Sequence, residues 1–284
     1  MCGRYYRFAT IEDIGAIFGA EVSTEQLVPP TFNASPDTWH PIIRMGGEGR
    51  REIVLMRWGF IPNGAKDDGP APSNARAEGI LTKWPFMRSI RTQRCIVPIN
   101  GFYEWDQKLE DGTKQPYAIG MKDGSPFGVA GIWDEWTETP IAINRRINSA
   151  IRAINKQRKN EGLPPIGQPP KDELEGTLFA GLAPPSQTPV PEGNHPDLDP
   201  TPRTVLTYAV ITCDPNELVA TIHDRMPVIL PGKDYVRWLD HEEPERPPID
   251  LLRPFPAEHM RMWKVSRNVN NSRNNRPNLI DPMP

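Results

Sequence analysis

Proline constrains this chain more than any other residue: 34 of its 284 residues are proline, about 12% against a usual ~5%. A proline inside a helix removes a hydrogen bond and clashes with the preceding turn, at a cost of roughly 3 kcal/mol. A long helical bundle is therefore excluded, and short strands, tight turns and irregular loops are expected. At 37% hydrophobic residues there is enough apolar material for a core, so wholesale disorder is excluded as well. No run of 18 apolar residues exists, so no segment reads as a membrane span. A net charge of −3 excludes a uniformly basic nucleic-acid coat but not a local basic groove. The first residues, Met-Cys-Gly-Arg-Tyr-Tyr-Arg-Phe, lack the apolar centre of a signal peptide, and a cytoplasmic protein is expected. Cysteine occurs at 2, 95 and 213. An odd count without metal-ligand spacing points away from a disulfide framework or a zinc site. No metal and no other cofactor is expected.

Local patterns give the elements. Residues 10–19 read as a short helix, with Thr10 as cap, Glu12 and Asp13 in the first turn, and Ile11, Ile14, Ile17 and Phe18 as its apolar stripe. Strands are expected at Ile53 to Trp58, at Ile96 to Ile99, and at Phe102 to Trp105, the last two separated by a bend at Asn100-Gly101. Tyr117 to Met121 and Phe127 to Trp133 read as a hairpin across Lys122-Asp123-Gly124. Val205 to Thr212 reads as a buried strand. Asp214-Pro215 reads as the start of a helix reaching about Ile222, Val228 to Leu230 as a strand, and Asp234 to Leu239 as a short helix. Residues 139–160 carry six cations and no acid, with isoleucines near helical spacing; residues 161–203 hold 11 prolines and almost no periodicity. The strand signals on either side look like one sheet interrupted. The expectation is a single α+β domain over 1–284, with a mostly antiparallel, barrel-like sheet, flanking short helices, and an insert at about 137–203.

Four places can carry chemistry. Cys2 follows a methionine whose removal would leave an α-amine and a thiol on adjacent carbons. An α-amine of pKa ~7.8 is roughly 14% neutral at pH 7, whereas a lysine is about 0.04% neutral. Such an amine can condense with an aldehyde, and the thiol can then close a five-membered thiazolidine. Equally, Cys2 can be an ordinary second residue. In Asn74-Ala75-Arg76-Ala77-Glu78 the amide of Asn74 can orient a nucleophile and Arg76 can take a phosphate, or the stretch is a polar loop. Glu104, set among aromatics in Gly101-Phe102-Tyr103-Glu104-Trp105, alternates in direction with Tyr103 and Trp105. Buried, it would have a raised pKa suited to proton transfer; otherwise it points to solvent. His223, in Ile222-His223-Asp224-Arg225-Met226-Pro227, can relay protons or merely cap a helix end, while Arg225 can meet a phosphate or hold Asp224. The histidines at 40, 195, 241 and 259 are assigned no role.

These motifs, with Met1-Cys2-Gly3-Arg4, Trp58-Gly59, Cys95 to Pro98, Ala130-Gly131-Ile132-Trp133 and Val265-Ser266-Arg267, stand in the order of the SRAP family. The chain resembles those abasic-site processing proteins over about 200 residues. The resemblance implies that Cys2 is a nucleophile joining the ring-opened sugar of an abasic site in single-stranded DNA. It further implies that Asn74 positions Cys2 and the sugar, and that Glu104 and His223 form the acid/base pair. Arg4, Arg76 and Arg225 would serve DNA binding, while Trp58, Asn33 and Pro36 would shape the DNA cleft and its junction wedge. Autoproteolytic removal of a leader, and a lyase side activity, belong to the same implication. Two departures bear on the wedge: Asn33-Ala34-Ser35-Pro36 stands where the family commonly has Asn-x-Ala-Pro, and Asn63-Gly64 follows Pro62 where a tryptophan is common. The insert is not a common feature of the family. The expected partner is abasic single-stranded DNA, bound by a monomer away from membranes. A non-covalent single-stranded DNA-binding module and a thiol peptidase acting in trans are the other readings.

Overall fold

A computed structural model describes residues 2–22, 28–69, 71–106, 114–163, 165–166 and 196–283. The strands in chain order are β1 (Tyr5–Arg7), β2 (Ala20–Val22), β3 (Thr31–Ala34), β4 (Trp39–Met45), β5 (Arg51–Trp58), β6 (Asn74–Arg76), β7 (Arg94–Ile99), β8 (Gly101–Asp106), β9 (Gln115–Met121), β10 (Phe127–Thr137), β11 (Thr204–Cys213), β12 (Met226–Pro227), β13 (Ile229–Leu230) and β14 (Met260–Lys264). The helices are α1 (Ile11–Phe18), α2 (Ser89–Thr92), α3 (Pro140–Asn160) and α4 (Tyr235–Leu239). The chain divides into two compact units: Met1–Asn63, Pro70–Trp136 and Val205–Pro284 form the first, Gly64–Gly69 and Thr137–Thr204 the second.

Two sheets build the first unit. One is antiparallel, in the order β14-β9-β8-β1-β3. The other runs β12-β11-β10-β7-β4-β5-β2, with β6 added on β11 and β13 on β10. Within it, β5 and β11 pair in parallel through Arg57↔Thr207 and Trp58↔Tyr208. That pairing joins the two ends of the run β11-β10-β7-β4-β5 and closes a five-stranded barrel. The fold is thus α+β and sheet-dominated, as the proline content requires, with β10 and β11 adjacent across the long intervening segment. Isoleucine and aromatic side chains make up much of the core on both faces of these strands: Ile42, Ile43, Ile53, Trp58, Ile96, Ile132, Tyr208 and Ile211 are all essentially inaccessible.

The local signals act as their chemistry predicts at α1. Thr10 Oγ1 accepts the Asp13 N–H at 3.1 Å and Asp13 accepts the Thr10 N–H at 3.0 Å, a reciprocal cap. Gly19, at φ 58°, stops the helix in a left-handed turn. At the bend between β7 and β8 the buried Asn100 side chain accepts the N–H groups of Phe8 and Ala9 at 2.9 and 3.0 Å, tying the end of β1 to the point where the chain leaves one sheet for the other.

Three expectations are corrected. β9 and β10 are not a hairpin. A turn does occur, with the Gly124 N–H on Met121 O at 3.1 Å, but β9 lies between β8 and β14 while β10 pairs with β7 from Phe127↔Ile99 to Ile132↔Arg94. Each strand is buried between longer-range partners, which outweigh the local pairing. Asp214-Pro215 does not start an α-helix. The Asp214 carboxylate goes to Arg225 at 3.1 Å; Asn216 Oδ1 instead accepts the Val219 N–H at 3.0 Å, and a single 3-10 turn, Val219–Thr221, results. The strand expected at Val228 to Leu230 is shortened to β13 on β10, and a separate β12, before the expected range, pairs with β11.

In the second unit α3 is capped by Thr139, whose Oγ1 accepts the Ala142 N–H at 3.3 Å, and begins with Pro140. Ala150 and Ile151 pack with Leu198, against Ile147, Ile154 and Ile166. Of the irregular stretch expected over 161–203, residues 164 and 167–195 lie outside the described residues.

A side chain at position 101 has no room, since a Cβ there would overlap the Tyr6 hydroxyl and the Ile119 carbonyl. The carbonyl is backbone and cannot rotate away. Gly101→Ala is expected to lower the unfolding free energy by about 3 kcal/mol, measured by urea denaturation against wild type.

Candidate active site

β1 and β8 set the geometry. Their register pairs Tyr5 with Phe102 and Tyr6 with Gly101, and the Tyr103 N–H reaches Arg4 O at 3.0 Å. Carried on toward the N-terminus, this antiparallel register lays Gly3 and Cys2 alongside Glu104 and Trp105. Strand alternation then decides the environment of the acid. Tyr103 and Trp105 face a cluster with Tyr6, Val265 and Val269, so Glu104 faces the opposite way and is 2% exposed. Burial pushes its carboxyl up to about 7. The Cys2 thiol, also 2% exposed, is raised by burial and further by the Glu104 charge. The thiol is therefore held protonated near neutral pH, and a carboxyl that gains or loses its proton in the same range lies beside it.

His223 is the third member. Its Nδ1 meets the Arg225 N–H at 3.0 Å. The Arg225 carbonyl lies 3.1 Å from the same ring nitrogen, so the Nδ1 contacts fit either neutral tautomer; Nε2 lies 3.7 Å from Glu104 Oε2. Asp224 Oδ1 also approaches Nδ1, at 3.2 Å, but that side chain is 89% exposed and solvated. Burial lowers the His223 pKa, which keeps the ring neutral and able to share one proton with Glu104.

Asn74 enters on β6, paired in parallel with Val210 of β11. Its Nδ2 donates to Ser73 Oγ at 3.0 Å, while its buried Oδ1 meets no hydrogen-bond partner among the described residues. Two residues before Val210, the Tyr208 hydroxyl meets the Tyr5 hydroxyl at 2.9 Å, and Trp58 and His40 stack around Tyr5 at 5.0 Å each. This aromatic floor lies beneath the N-terminal strand, and Cys2 belongs to the same core cluster. The sequence reading missed Tyr208 and His40 here, since an aromatic inside a buried strand carries no signal of its own.

The expected DNA contacts are placed unevenly. Arg76 is exposed at the end of β6. Arg4 donates to Asn33 Oδ1 at 2.7 Å and to the Val269 carbonyl at 2.8 Å, and Asn33 Nδ2 reaches the carbonyls of Val269, Asn271 and Asn274. Both residues thus clamp the C-terminal segment. Pro36 is half-buried beside Asp37, which adopts φ 70°. Trp58 is wholly buried, with Nε1 on the Ser73 carbonyl at 2.8 Å; it offers no surface to a ligand and shapes its surroundings from within. Arg225 holds neither Asp224 nor solvent. It forks onto Glu78 at 3.0 and 2.8 Å and also meets Asp214 and the Thr212 carbonyl. Its guanidinium therefore fastens the His223 loop to the loop that follows Asn74. The sequence alone gives Glu78 no role, because nothing local pairs positions 78 and 225. Among the described residues no cluster of His, Cys, Asp and Glu could hold a metal ion, and no helix is long and apolar enough to cross a membrane.

A small sheet-rich α+β fold with a buried acid and histidine beside residue 2 is the class of site seen here. The profile of the SOS response associated peptidase (SRAP) family matches residues 1–154 and 155–272, and the chain belongs to that family. It is 30% identical over 289 residues to the abasic site processing protein YoqW of Bacillus subtilis, covering 99% of both chains. It is 29% identical to the abasic site processing protein HMCES of Gallus gallus, covering 89% of this chain and 66% of that one. A solved structure of a Bacteroides thetaiotaomicron protein shares the fold at TM-score 0.70 and 22% identity, over 99% of this chain and 100% of the other.

The position of Glu104 has a thermodynamic signature. An unfolded glutamate ionises near 4.5 and the folded one near 7. Between those values the unfolded state has lost a proton that the folded state keeps, so stability falls as pH rises through this window and levels off above it. The drop is up to about 3 kcal/mol. Glu104→Gln removes it. The difference in unfolding free energy between wild type and Glu104→Gln, measured by urea denaturation at pH 5 and pH 8, is expected to shift against wild type at the higher pH. A difference that stays constant would mean that Glu104 is not held in its protonated form.

Proposed function

We propose that this protein binds abasic sites in single-stranded DNA and joins them covalently through Cys2 once Met1 is removed. The observation that carries the reading is a carboxyl tuned to about 7 and faced by a neutral histidine, both beside the residue that would become the N-terminus. Relatives named abasic site processing proteins, aligned over 99% of the chain, supply the substrate class.

The chemistry balances with groups from one chain. The α-amine of Cys2 adds to C1′ of the ring-opened sugar aldehyde, and the carbinolamine loses water to give an imine. Glu104, which holds its proton part of the time near neutral pH, gives that proton to the departing hydroxyl, and then as a carboxylate accepts the proton of the Cys2 thiol as sulfur adds to the imine carbon. The raised thiol pKa fits this order, since the amine attacks first and the sulfur needs a base. In the tautomer that carries its proton on Nε2, His223 stabilises the Glu104 carboxylate between the two steps. Asn74 Oδ1, without a partner among the described residues, is suited to hold the Cys2 amine or a sugar hydroxyl. Arg76 is the exposed cation for the adjoining phosphate; Arg4, Asn33, Pro36, Trp58 and Arg225 act as its frame. The protein would work as a monomer in the cytoplasm. Autoproteolytic release of a leader before Cys2 would use the same acid and histidine on an amide carbonyl, and lyase cleavage would compete with ring closure at the imine.

The test is a denaturing gel with single-stranded DNA holding one abasic site, together with the N-terminal mass of the purified protein. Wild type lacking Met1 is expected to give a heat-stable band. Cys2→Ala, which keeps an amine but has no sulfur, should give a band only after borohydride reduction. Glu104→Gln should slow crosslinking about 100-fold at saturating DNA. A heat-stable band from Cys2→Ala would overturn the thiazolidine, and DNA binding with no covalent band in wild type would reduce the protein to a non-covalent binding module.

A further inference from the structure

The second unit holds a charged surface that the reaction does not use. α3 has no acidic residue anywhere in its 21 residues. Six of the cations of this unit divide by whether an acid pairs with them. Arg145 is paired with Asp67 and Asp68 at 2.9 and 2.7 Å, Arg146 with Glu138 at 2.8 Å, and Arg203 with Asp197 at 2.8 Å. Arg152, Lys156 and Lys159 are exposed and have no ion pair among the described residues. Their spacing is i, i+4, i+7, so they stand on one face of the helix, the face opposite the packing of Ala150 and Ile151 on Leu198.

Two physical points separate this stripe from an ordinary solvated face. Like charges at i, i+4 destabilise a helix by a few tenths of a kcal/mol per pair, and solvated helices usually interleave acids to avoid this. Here acids pair with Arg145, Arg146 and Arg203, and among the described residues none pairs with the outward row. The exposed residues around the row, Ser149, Ala153, Gln157 and Asn160, are small or polar. A protein partner would find no aromatic or large apolar anchor among them. A phosphate backbone needs none, because it is held by charge and counterion release.

We infer that the Arg152–Lys156–Lys159 face of α3 is a second nucleic-acid contact, which grips the phosphates of single-stranded DNA without reading its sequence. The row is about 10 Å long. Tethered to the reactive unit through β10 and β11, it raises the local concentration of any strand that either unit has bound. This inference rests on the reading of DNA as the substrate, and its test avoids the chemistry of Cys2 by using undamaged DNA.

The experiment measures the affinity of the full chain for a fluorescent, undamaged single strand of 30 nucleotides across a salt series. It compares wild type with the triple variant Arg152→Gln, Lys156→Gln, Lys159→Gln. Glutamine keeps helix propensity, and circular dichroism checks that α3 persists. A charge-conserving triple, Arg152→Lys with Lys156→Arg and Lys159→Arg, is the companion. Each lost phosphate contact takes about 0.7 from the slope of log K against log salt. The glutamine triple is therefore expected to flatten the slope by about 2, and the conserving triple to leave it unchanged. At saturating DNA the glutamine triple should still crosslink an abasic strand at the wild-type rate. An unchanged slope in the glutamine triple overturns the inference and assigns the face to solvent or to an anionic protein. A slope that falls equally in both triples also overturns it, because the effect would then come from altered packing. Should the abasic strand fail to crosslink in wild type while the slope still flattens as stated, the proposed reaction fails and this contact stands.

Discussion

The parallel pairing of β5 with β11 is the contact on which the rest of the structure depends. Only two register pairs, Arg57↔Thr207 and Trp58↔Tyr208, join them, yet they turn an open sheet into a barrel and so remove its exposed edges. Closure stacks Trp58 on Tyr208 at 6.2 Å and sets the Tyr208 hydroxyl against Tyr5, three residues after the candidate nucleophile. Beyond Tyr208, β11 receives β6 along Val210 to Thr212. The same strand therefore closes the barrel, carries Asn74, and offers the Thr212 carbonyl to Arg225. Motifs some 150 residues apart converge because one strand serves all of them.

Buried charge is treated in two ways in this molecule, and the contrast separates scaffold from chemistry. Arg7 is buried and donates to the carbonyls of Ala9 and Pro29. Arg94 is buried and donates to those of Ile90, Arg91, Trp238 and Asp240. Carbonyls do not titrate, so these cations are fixed supports. Glu104 is buried against a histidine and a thiol, groups that exchange protons, and its own pKa lies near neutrality. A buried carboxylate needs strong partners to stay ionised. Weak, titratable partners leave its proton free to move, which suits a site that must both give and take one.

What the sequence made legible was local. The Thr10 cap, the alternation that turns Glu104 away from Tyr103 and Trp105, the length of α3 and the sheet interrupted by it could all be read from local signals and from spacing of 2 or 3.6 residues, although the burial of Glu104 could not. Long-range pairing could not. The turn at Gly124 looks like a hairpin because turn chemistry says only that the chain reverses, and not which sheet each strand joins. Asp214 has the chemistry of a helix cap but is taken by Arg225, a partner that composition near position 214 does not announce. Trp58 shows the same limit at the site. As a motif it belongs with the DNA cleft, and its burial follows only once Tyr208 and Ser73 are known to surround it. Cys2, Asn74, Glu104 and His223 could be named in advance from residue chemistry, with their roles chosen by a family resemblance carried by several motifs in order, and Glu78, whose partner is remote, gained a role only from the fold.

The clamp of Arg4 and Asn33 on the carbonyls of Val269, Asn270, Asn271 and Asn274 ties the beginning of the chain to its last residues. During synthesis the N-terminal strand emerges first and the segment that pins it emerges last. A nascent chain can have its methionine trimmed and its barrel well advanced while the strand bearing Cys2 still lacks its anchor. The strand that follows Cys2 thus acquires its fixed geometry only after residues 269–274 have been made and folded back onto it, so the two ends of this fold are ordered together and late.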